Sequence, residues 1–435
     1  MKKIFLLPVF VLLSFISFSQ NGNRVTLKPK TTVLQPAKPE SAGFSSERLK
    51  RIDANINDWI NKGRLNGCVA LIIRNGKIVY HKGFGYDDAE KTKPIRTDNI
   101  YRIASQTKAI TSTAIMMLYE EGKFLLDDPI SKYIPEFAKQ QVLDKFNPAD
   151  SSYTTVPAKT EVTIRQLLTH TSGIAYAQIG SKEANAIFAK TTITAGIGVP
   201  VGKILADDMK KLGKMPLMHQ PGEKFTYGLN TDVLGYLVEI ISGMPLDKFF
   251  RTRILDPLGM NDTWFYLPQS KQTRLVTLYE ETEGMLAPAK PVTEQNGVFL
   301  IDYPKTAGTY FSGGAGLSST ALDYAIFLQM LLNGGEYNGK RFLSHNTVRM
   351  MIMNQIGDID RGVNKFGLGF GITTEKGSSI LPTPEGVFEW GGAFATTYWA
   401  DPKENLIAII YRQLWKTTHG EVPNKFKVLV YQALE

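Results

Sequence analysis

The sequence predicts an α+β fold: an antiparallel sheet built from both ends of the chain, flanked by helices, with a helical region inserted between. Three observations carry this reading. Strand-like runs stand near either end, at Cys68 to Lys82 and at Thr396 to Arg412. Between them, residues 101 to 350 space their apolar side chains mostly with helical period. The composition is globular, with 43% hydrophobic and 21% charged residues in a chain of 435, which excludes disordered, collagen-like and coiled-coil classes. A chain of this length can bury one large core or two modest ones, and terminal strands enclosing a block of helices favour an α+β arrangement.

Met1-Lys2-Lys3, the apolar run Ile4 to Phe18 and the small residues Ser17 and Ser19 read as a signal peptide over residues 1–19. The run falls short of the about 20 apolar residues that span a bilayer, and no later stretch supplies them. The expectation is an exported protein, periplasmic or secreted, with no stable membrane anchor. Residues 20–38 are polar, contain Pro and Lys, and read as a flexible tether, leaving 39–435 as a single domain.

The elements follow in order. Leu49, Ile52, Ile56, Trp59 and Ile60 share one face of a helix capped by Ser45 or Ser46 and stopped by Gly63. Cys68 to Arg74, the pair Asn75-Gly76 and Lys77 to Lys82 spell a hairpin with a type I′ turn. Thr396 to Ala400 and Leu406 to Arg412 are two further strands, and residues 424–434 form a last helix. The stretch from Tyr176 to Met218, rich in small and apolar residues, reads either as a surface insertion or as a lid over a pocket.

Charge and rare residues exclude several functions. The net charge of +9 is spread along the chain without a basic run, so no nucleic-acid partner is expected. Cys68 is the only cysteine, which excludes an intramolecular disulfide and a zinc cage; in an apolar strand it reads as a buried, inert thiol. The five histidines show no HExxH or paired spacing, so no metal and no cofactor are expected. Gly334-x-x-x-x-Gly339-Lys340 imitates a phosphate loop, but Arg341 stands where Ser or Thr should be, and a hairpin or loop is the better reading. No G-x-S-x-G occurs, which argues against an α/β-hydrolase elbow.

Candidate chemistry begins at Ser105. The segment Tyr101-Arg102-Ile103-Ala104-Ser105-Gln106-Thr107-Lys108 leads into the apolar run Ala109 to Leu118. Ser105 and Lys108 are one helical turn apart on the same face. A serine hydroxyl needs a base to become a nucleophile, and a lysine amine serves if burial and neighbouring charge keep it neutral. The helix start would favour developing negative charge on the serine.

Four more segments occur in a telling order: Leu167-Leu168-Thr169-His170-Thr171-Ser172-Gly173; Pro221 to Asn230, containing Thr226-Tyr227-Gly228; Gly313-Gly314-Ala315-Gly316-Leu317-Ser318-Ser319; and Trp390-Gly391-Gly392-Ala393. With Ser105-x-x-Lys108, their order and spacing over residues 40 to 430 resemble the penicillin-recognising serine hydrolases. These comprise class C β-lactamases, D-alanyl-D-alanine carboxypeptidases and family VIII carboxylesterases. The resemblance implies the β-lactamase/transpeptidase-like fold, with Ser105 as nucleophile, Lys108 as its lysine and Tyr227 as the tyrosine sharing proton transfer. It implies an oxyanion hole from the backbone N–H groups of Ser105 and Ala393, and a pocket wall of Trp390, Gly391 and Gly392, the glycines admitting substrate close to a strand edge. His170 is expected to be structural.

Two departures bear on specificity. Leu229 occupies the third place of the family's Y-x-N motif, with Asn230 one place late, and Trp390 stands where that family usually has a cationic or histidine residue. Both turn the site towards neutral or apolar acyl groups, and the Trp-Gly-Gly form looks most like the family VIII branch. The function expected is hydrolysis of a small-molecule ester or amide through a Ser105 acyl-enzyme. The alternatives are a class C-type β-lactamase or D-alanyl-D-alanine carboxypeptidase, and a silent recognition protein of the same fold.

Overall fold

Strands from the two ends of the chain meet in one sheet. In the computed structural model, which describes residues 32–435 apart from 178, 295 and 296, this sheet contains β1 (Gln35–Pro36), β2 (Gly67–Arg74), β3 (Lys77–Gly85), β4 (Lys365–Phe366), β5 (Gly371–Ile372), β6 (Phe388–Gly391), β7 (Thr396–Asp401) and β8 (Leu406–Tyr411). Their order is β1-β3-β2-β8-β7-β6-β5-β4. Neighbours run antiparallel, except that β1 lies parallel to β3. The helices that matter here are α1 (Ser46–Asn61), α2 (Thr107–Glu120), α3 (Asn230–Ser242), α4 (Ala321–Leu332) and α5 (Glu421–Tyr431).

Both faces of the sheet are covered, which explains why β2 and β8 read as unbroken apolar runs. Cys68, Ala70 and Ile72 of β2, with Leu406, Ala408 and Ile410 of β8, face a core shared with α1 and α5. Val69, Leu71 and Ile73, with Ile407, Ile409 and Tyr411, face the larger core that holds α2, α3 and α4. This is the period of two expected of a strand, seen from both sides at once. Ile52 and Ile56 of α1 are fully buried, each worth roughly 1.5–3 kcal/mol.

The local signals act as their chemistry requires. Ser45 caps α1 by accepting from the Arg48 N–H at 3.3 Å. Asn75 and Gly76 both take positive φ (53° and 73°), the type I′ requirement, in the β2–β3 hairpin. The phosphate-loop imitation is a hairpin, Glu336–Tyr337 against Lys340–Arg341, turning at Asn338-Gly339. Cys68 is wholly buried, and burial pushes its thiol up to about 12, so it is no nucleophile.

Several expectations need correction. The signal peptide and residues 20–31 of the expected tether lie outside the described residues, but residues 32–38 are packed against the domain. Gln35–Pro36 pairs with β3, and the Leu34 N–H donates to the Tyr337 hydroxyl at 3.2 Å. The free edge of β3 captures the segment, and Pro36 is tolerated because an edge strand has one unpaired side. The last helix starts at Glu421, earlier than predicted, because Pro423 in its first turn removes only an N–H that would have no partner there. The inserted region also holds hairpins, among them Gln141–Asn147 with Ser152–Pro157 and Tyr279–Thr282 with Met285–Pro288. The first of these exposes every residue of its second strand, so no apolar alternation marked it in the sequence.

The described residues of the stretch 176–218 are packed into the domain, so it is not a loose surface insertion. Ile187, Phe188, Ile193, Leu205, Met209 and Leu212 are buried in or against the larger core. Gly196 (φ 77°) lets its backbone approach Ser312 and Asp232 so closely that a methyl group would meet both.

Candidate active site

The chain from Tyr101 to Leu118 is buried at every position but one, and the exception is Ser105. Ser105 sits in a 3-10 turn, Ala104–Gln106, that runs directly into α2. Ala104 holds a positive φ of 44°, a conformation that costs a non-glycine residue energy and persists where the surroundings impose it. The surroundings here are a backbone bond before the turn and a side-chain bond after it. The Ile103 N–H donates to the Leu317 carbonyl at 3.0 Å, and the Leu317 N–H donates to Thr107 Oγ1 at 3.1 Å. Arg102 anchors the approach by donating to the carbonyls of Ile301 (2.8 Å) and Val276 (2.7 Å) and to Asp302 (3.0 Å).

Lys108 lies beneath Ser105. Its Nζ is 3.3 Å from Ser105 Oγ, 3.0 Å from the Tyr176 hydroxyl and 2.8 Å from the Gly314 carbonyl. An ammonium has three donors and no acceptor, and these three oxygens use them all. Burial favours the neutral amine. It is outweighed by attraction to the hydroxyls of Tyr176 and Tyr227 and to the Asp232 carboxyl, so the lysine is held above its ordinary range. Burial and neighbouring charge therefore do not keep the resting lysine neutral, which is the condition for its acting as base: its acceptors stabilise the cation more than burial destabilises it.

Tyr227 places its ring 4.7 Å from Lys108 Nζ, measured to the ring centroid. Its hydroxyl accepts from the Trp390 indole N–H at 3.4 Å. His170, buried and with positive φ (57°), packs its ring 4.7 Å from that of Tyr227. Its Nδ1 meets the Asn230 amide at 2.9 Å, and burial first, then the Lys108 charge, keeps the imidazole neutral. It supports the tyrosine and touches neither Ser105 nor Lys108, as its expected structural role requires. The motif departure now has a physical meaning. Leu229 is fully buried, and Asn230 starts α3 with its amide committed to His170, Ser172 and the Ile174 carbonyl. No amide from this motif is left to face a substrate.

Two neighbours escaped the sequence reading. Tyr176 reaches Lys108 from the stretch that had no assigned role, three residues beyond Gly173, and burial pushes its hydroxyl up, so it keeps its proton. Asp232, five residues after Tyr227, is buried, and one carboxylate oxygen accepts from Ser312 Oγ (2.5 Å) and the Gly314 N–H (3.3 Å). It fixes the turn whose Gly314 carbonyl holds Lys108. A side chain at Gly314 would collide with the other oxygen of Asp232. Gly235 of α3 and Gly313 meet backbone to backbone, which seats the same turn. The Gly313-Gly314 pair was visible in sequence; its purpose was not.

The last strand segment completes the arrangement. Trp390 lies on β6, half-buried, with its ring 5.5 Å from that of Tyr227. Among the described residues, the N–H groups of Ser105 and Ala393 have no acceptor, and Ala393 is exposed. Gly391 is half-buried beside the Thr396 carbonyl. Gly392 does something other than expected: a side chain there would strike the Ile103 carbonyl and Thr396 Oγ1, so this glycine lets the Ser105 turn approach the strand. The structure thus brings together Ser105, Lys108, Tyr227 and Trp390 from three separate parts of the chain. No cluster able to hold a metal ion occurs among the described residues.

A half-open serine over a buried lysine at the head of a largely buried helix, with two tyrosines beside the lysine and a strand alongside, defines a serine hydrolase. The model of the beta-lactamase family matches residues 50–432, and the chain belongs to that family. It is 34% identical over 376 residues to protein Rv1367c of Mycobacterium tuberculosis, covering 82% of this chain and 88% of that one. It is 29% identical to esterase EstB of Burkholderia gladioli, over 81% of this chain and 86% of the relative. Among solved structures it resembles EstCE1, described as a hydrolase with promiscuous acyltransferase activity, with a TM-score of 0.75 and 26% identity over 88% of this chain and 99% of that one.

Proposed function

We propose that this serine hydrolase cleaves carboxylic esters through an acyl-enzyme on Ser105. The observation that carries the reading is Ser105 itself, the single open residue of a buried segment, with its oxygen 3.3 Å from a buried lysine. Ser105 Oγ attacks the ester carbonyl, and its proton passes to the Lys108–Tyr227 pair, which is active when one proton short. The tetrahedral oxygen is received by the N–H groups of Ser105 and Ala393, two donors of the kind that stabilise developing charge by several kcal/mol in such sites. The pair returns the proton to the departing alkoxide, and water then hydrolyses the acyl-enzyme by the same route in reverse. Trp390 and Gly391 form the wall beside the acyl group.

Ester preference is supported by two features. The Y-x-N amide is absent, because Leu229 is core and Asn230 is internally bonded. The usual cation on the strand is replaced by Trp390, whose N–H is directed at Tyr227. The likeness to esterase EstB points the same way. The N-terminal segment supports export to a periplasmic or extracellular setting. The test is turnover of a short p-nitrophenyl ester beside a chromogenic cephalosporin. Ester cleavage alone is the expected result; cephalosporin opening alone would select a β-lactamase, and neither would select a silent recognition protein.

A further inference from the structure

Trp390 removes a cation from the strand, yet a cation stands against its ring. Arg361 comes from the segment between Met351 and β4, and its guanidinium carbon lies 5.3 Å from the Trp390 ring centroid, 5.2 Å from that of Phe225 and 5.2 Å from that of Phe366. The same rings continue into the catalytic wall: Phe366 packs on Trp390 at 5.1 Å, and Trp390 on Tyr227 at 5.5 Å. Three aromatic faces hold the guanidinium in place and hold it charged.

Its hydrogen bonding is nonetheless incomplete. Nη1 donates to the Lys365 carbonyl at 3.2 Å, Nε is buried with no acceptor, and Nη2 has none among the described residues. No carboxylate among the described residues forms an ion pair with it. Glu389, whose charge it feels, is taken by Lys427. Two partly buried arginines elsewhere are filled by carboxylates. Arg165 grips Asp127 with two nitrogens, at 2.7 and 2.9 Å, and Arg274 grips Asp262 at 2.9 and 2.7 Å. An Arg fork matches a carboxylate with two parallel bonds, so a half-buried fork lacking its anion is the geometry of a recognition site.

We propose that Arg361 is a specificity-determining residue that receives a carboxylate on the acyl part of the substrate, so that the site takes monoesters of short dicarboxylic acids. This rests on the ester-hydrolase reading for the identity of the reaction, but not for the binding of the anion. It revises the expectation of neutral acyl groups drawn from Leu229 and Trp390. The indole gives the acyl chain an apolar wall, and the cation lost from the strand returns at the far side of that indole.

Two experiments decide it. The first compares kcat/KM for the mono-p-nitrophenyl ester of glutaric acid with that for p-nitrophenyl valerate. The expected wild-type ratio is tenfold or more in favour of the glutarate. Arg361→Gln should bring the ratio near one, and Arg361→Lys should restore part of it. A wild-type ratio at or below one, or a ratio unmoved by Arg361→Gln, overturns the proposal; general damage lowers both substrates together and leaves the ratio unmoved. The second measures binding of monomethyl glutarate and methyl valerate to Ser105→Ala by calorimetry, without any turnover. Glutarate should bind at least tenfold more tightly, and adding Arg361→Gln should remove that advantage. Equal binding with and without Arg361 overturns the proposal, whereas absent turnover with the binding difference intact overturns only the ester-hydrolase reading.

Discussion

The two walls of the site differ in how completely their polar groups are satisfied. On the nucleophile side, Lys108 spends all three donors on Ser105, Tyr176 and Gly314, and Asp232 secures the turn behind Gly314; the Ser105 N–H and one buried oxygen of Asp232 are without a partner among the described residues. On the strand side, Trp390 makes one long bond to Tyr227, the N–H of Ala393 is open, and the Arg361 fork is mostly empty. A closed network pre-organises charge for the reaction, and open groups wait for substrate. Chemistry and selection are therefore divided between the walls, and changes on each should act differently.

The largest effect is expected from opening the closed wall. Lys108→Ala should lower acylation on the order of 10³-fold, because nucleophile and lysine act as one unit. Stopped-flow release of p-nitrophenol measures it, and a variant within tenfold of wild type would mean that another group manages the proton. The pH profile probes the same network. Lys108 is held above its ordinary range, so at neutral pH its amine carries its proton. The competent fraction should then rise about tenfold per pH unit on the acid side of that lysine's apparent pKa. Acylation should climb from pH 6 through pH 9; a plateau below pH 7 would contradict a charged resting lysine.

Gly314→Ala tests the support one step back. Its methyl group would press on Asp232, and the carbonyl that holds Lys108 must shift. Overpacking of this kind costs roughly 1–3 kcal/mol, and turnover should fall between Lys108→Ala and wild type, with KM little changed. Full activity would show that the turn does not matter. The smallest effect is expected on the open wall. Trp390→Phe keeps an aromatic ring but loses the N–H donated to Tyr227 at 3.4 Å; a neutral hydrogen bond is worth about 0.5–1.5 kcal/mol, or two- to tenfold in kcat/KM. A loss as large as that of Lys108→Ala would erase the division between the walls.

What the sequence made legible follows the range of the interactions. Ser105 and Lys108 are one turn apart, and the apolar run behind them announces a buried helix, so the pair could be read locally. The β2–β3 hairpin was legible for the same reason, since Asn75-Gly76 carries its own backbone demand. Tyr176 and Asp232 could not be read this way, because each acts across a gap of tens of residues that no periodicity records. Arg361 was invisible for a further reason: its meaning lies in bonds it does not make. Gly392 was noticed for the right property and given the wrong neighbour, since the backbone that comes close to it is that of Ile103. The captured segment at residues 35–36 has no strand signal of its own, and only the open edge of β3 explains it.

The central claim is that Ser105 is the nucleophile. A serine-directed fluorophosphonate, followed by intact mass and peptide mapping, tests it without assuming any substrate. The account predicts one adduct per chain, on Ser105, and no adduct on a folded Ser105→Ala variant. An adduct on another serine, or equal labelling of the variant, would contradict it.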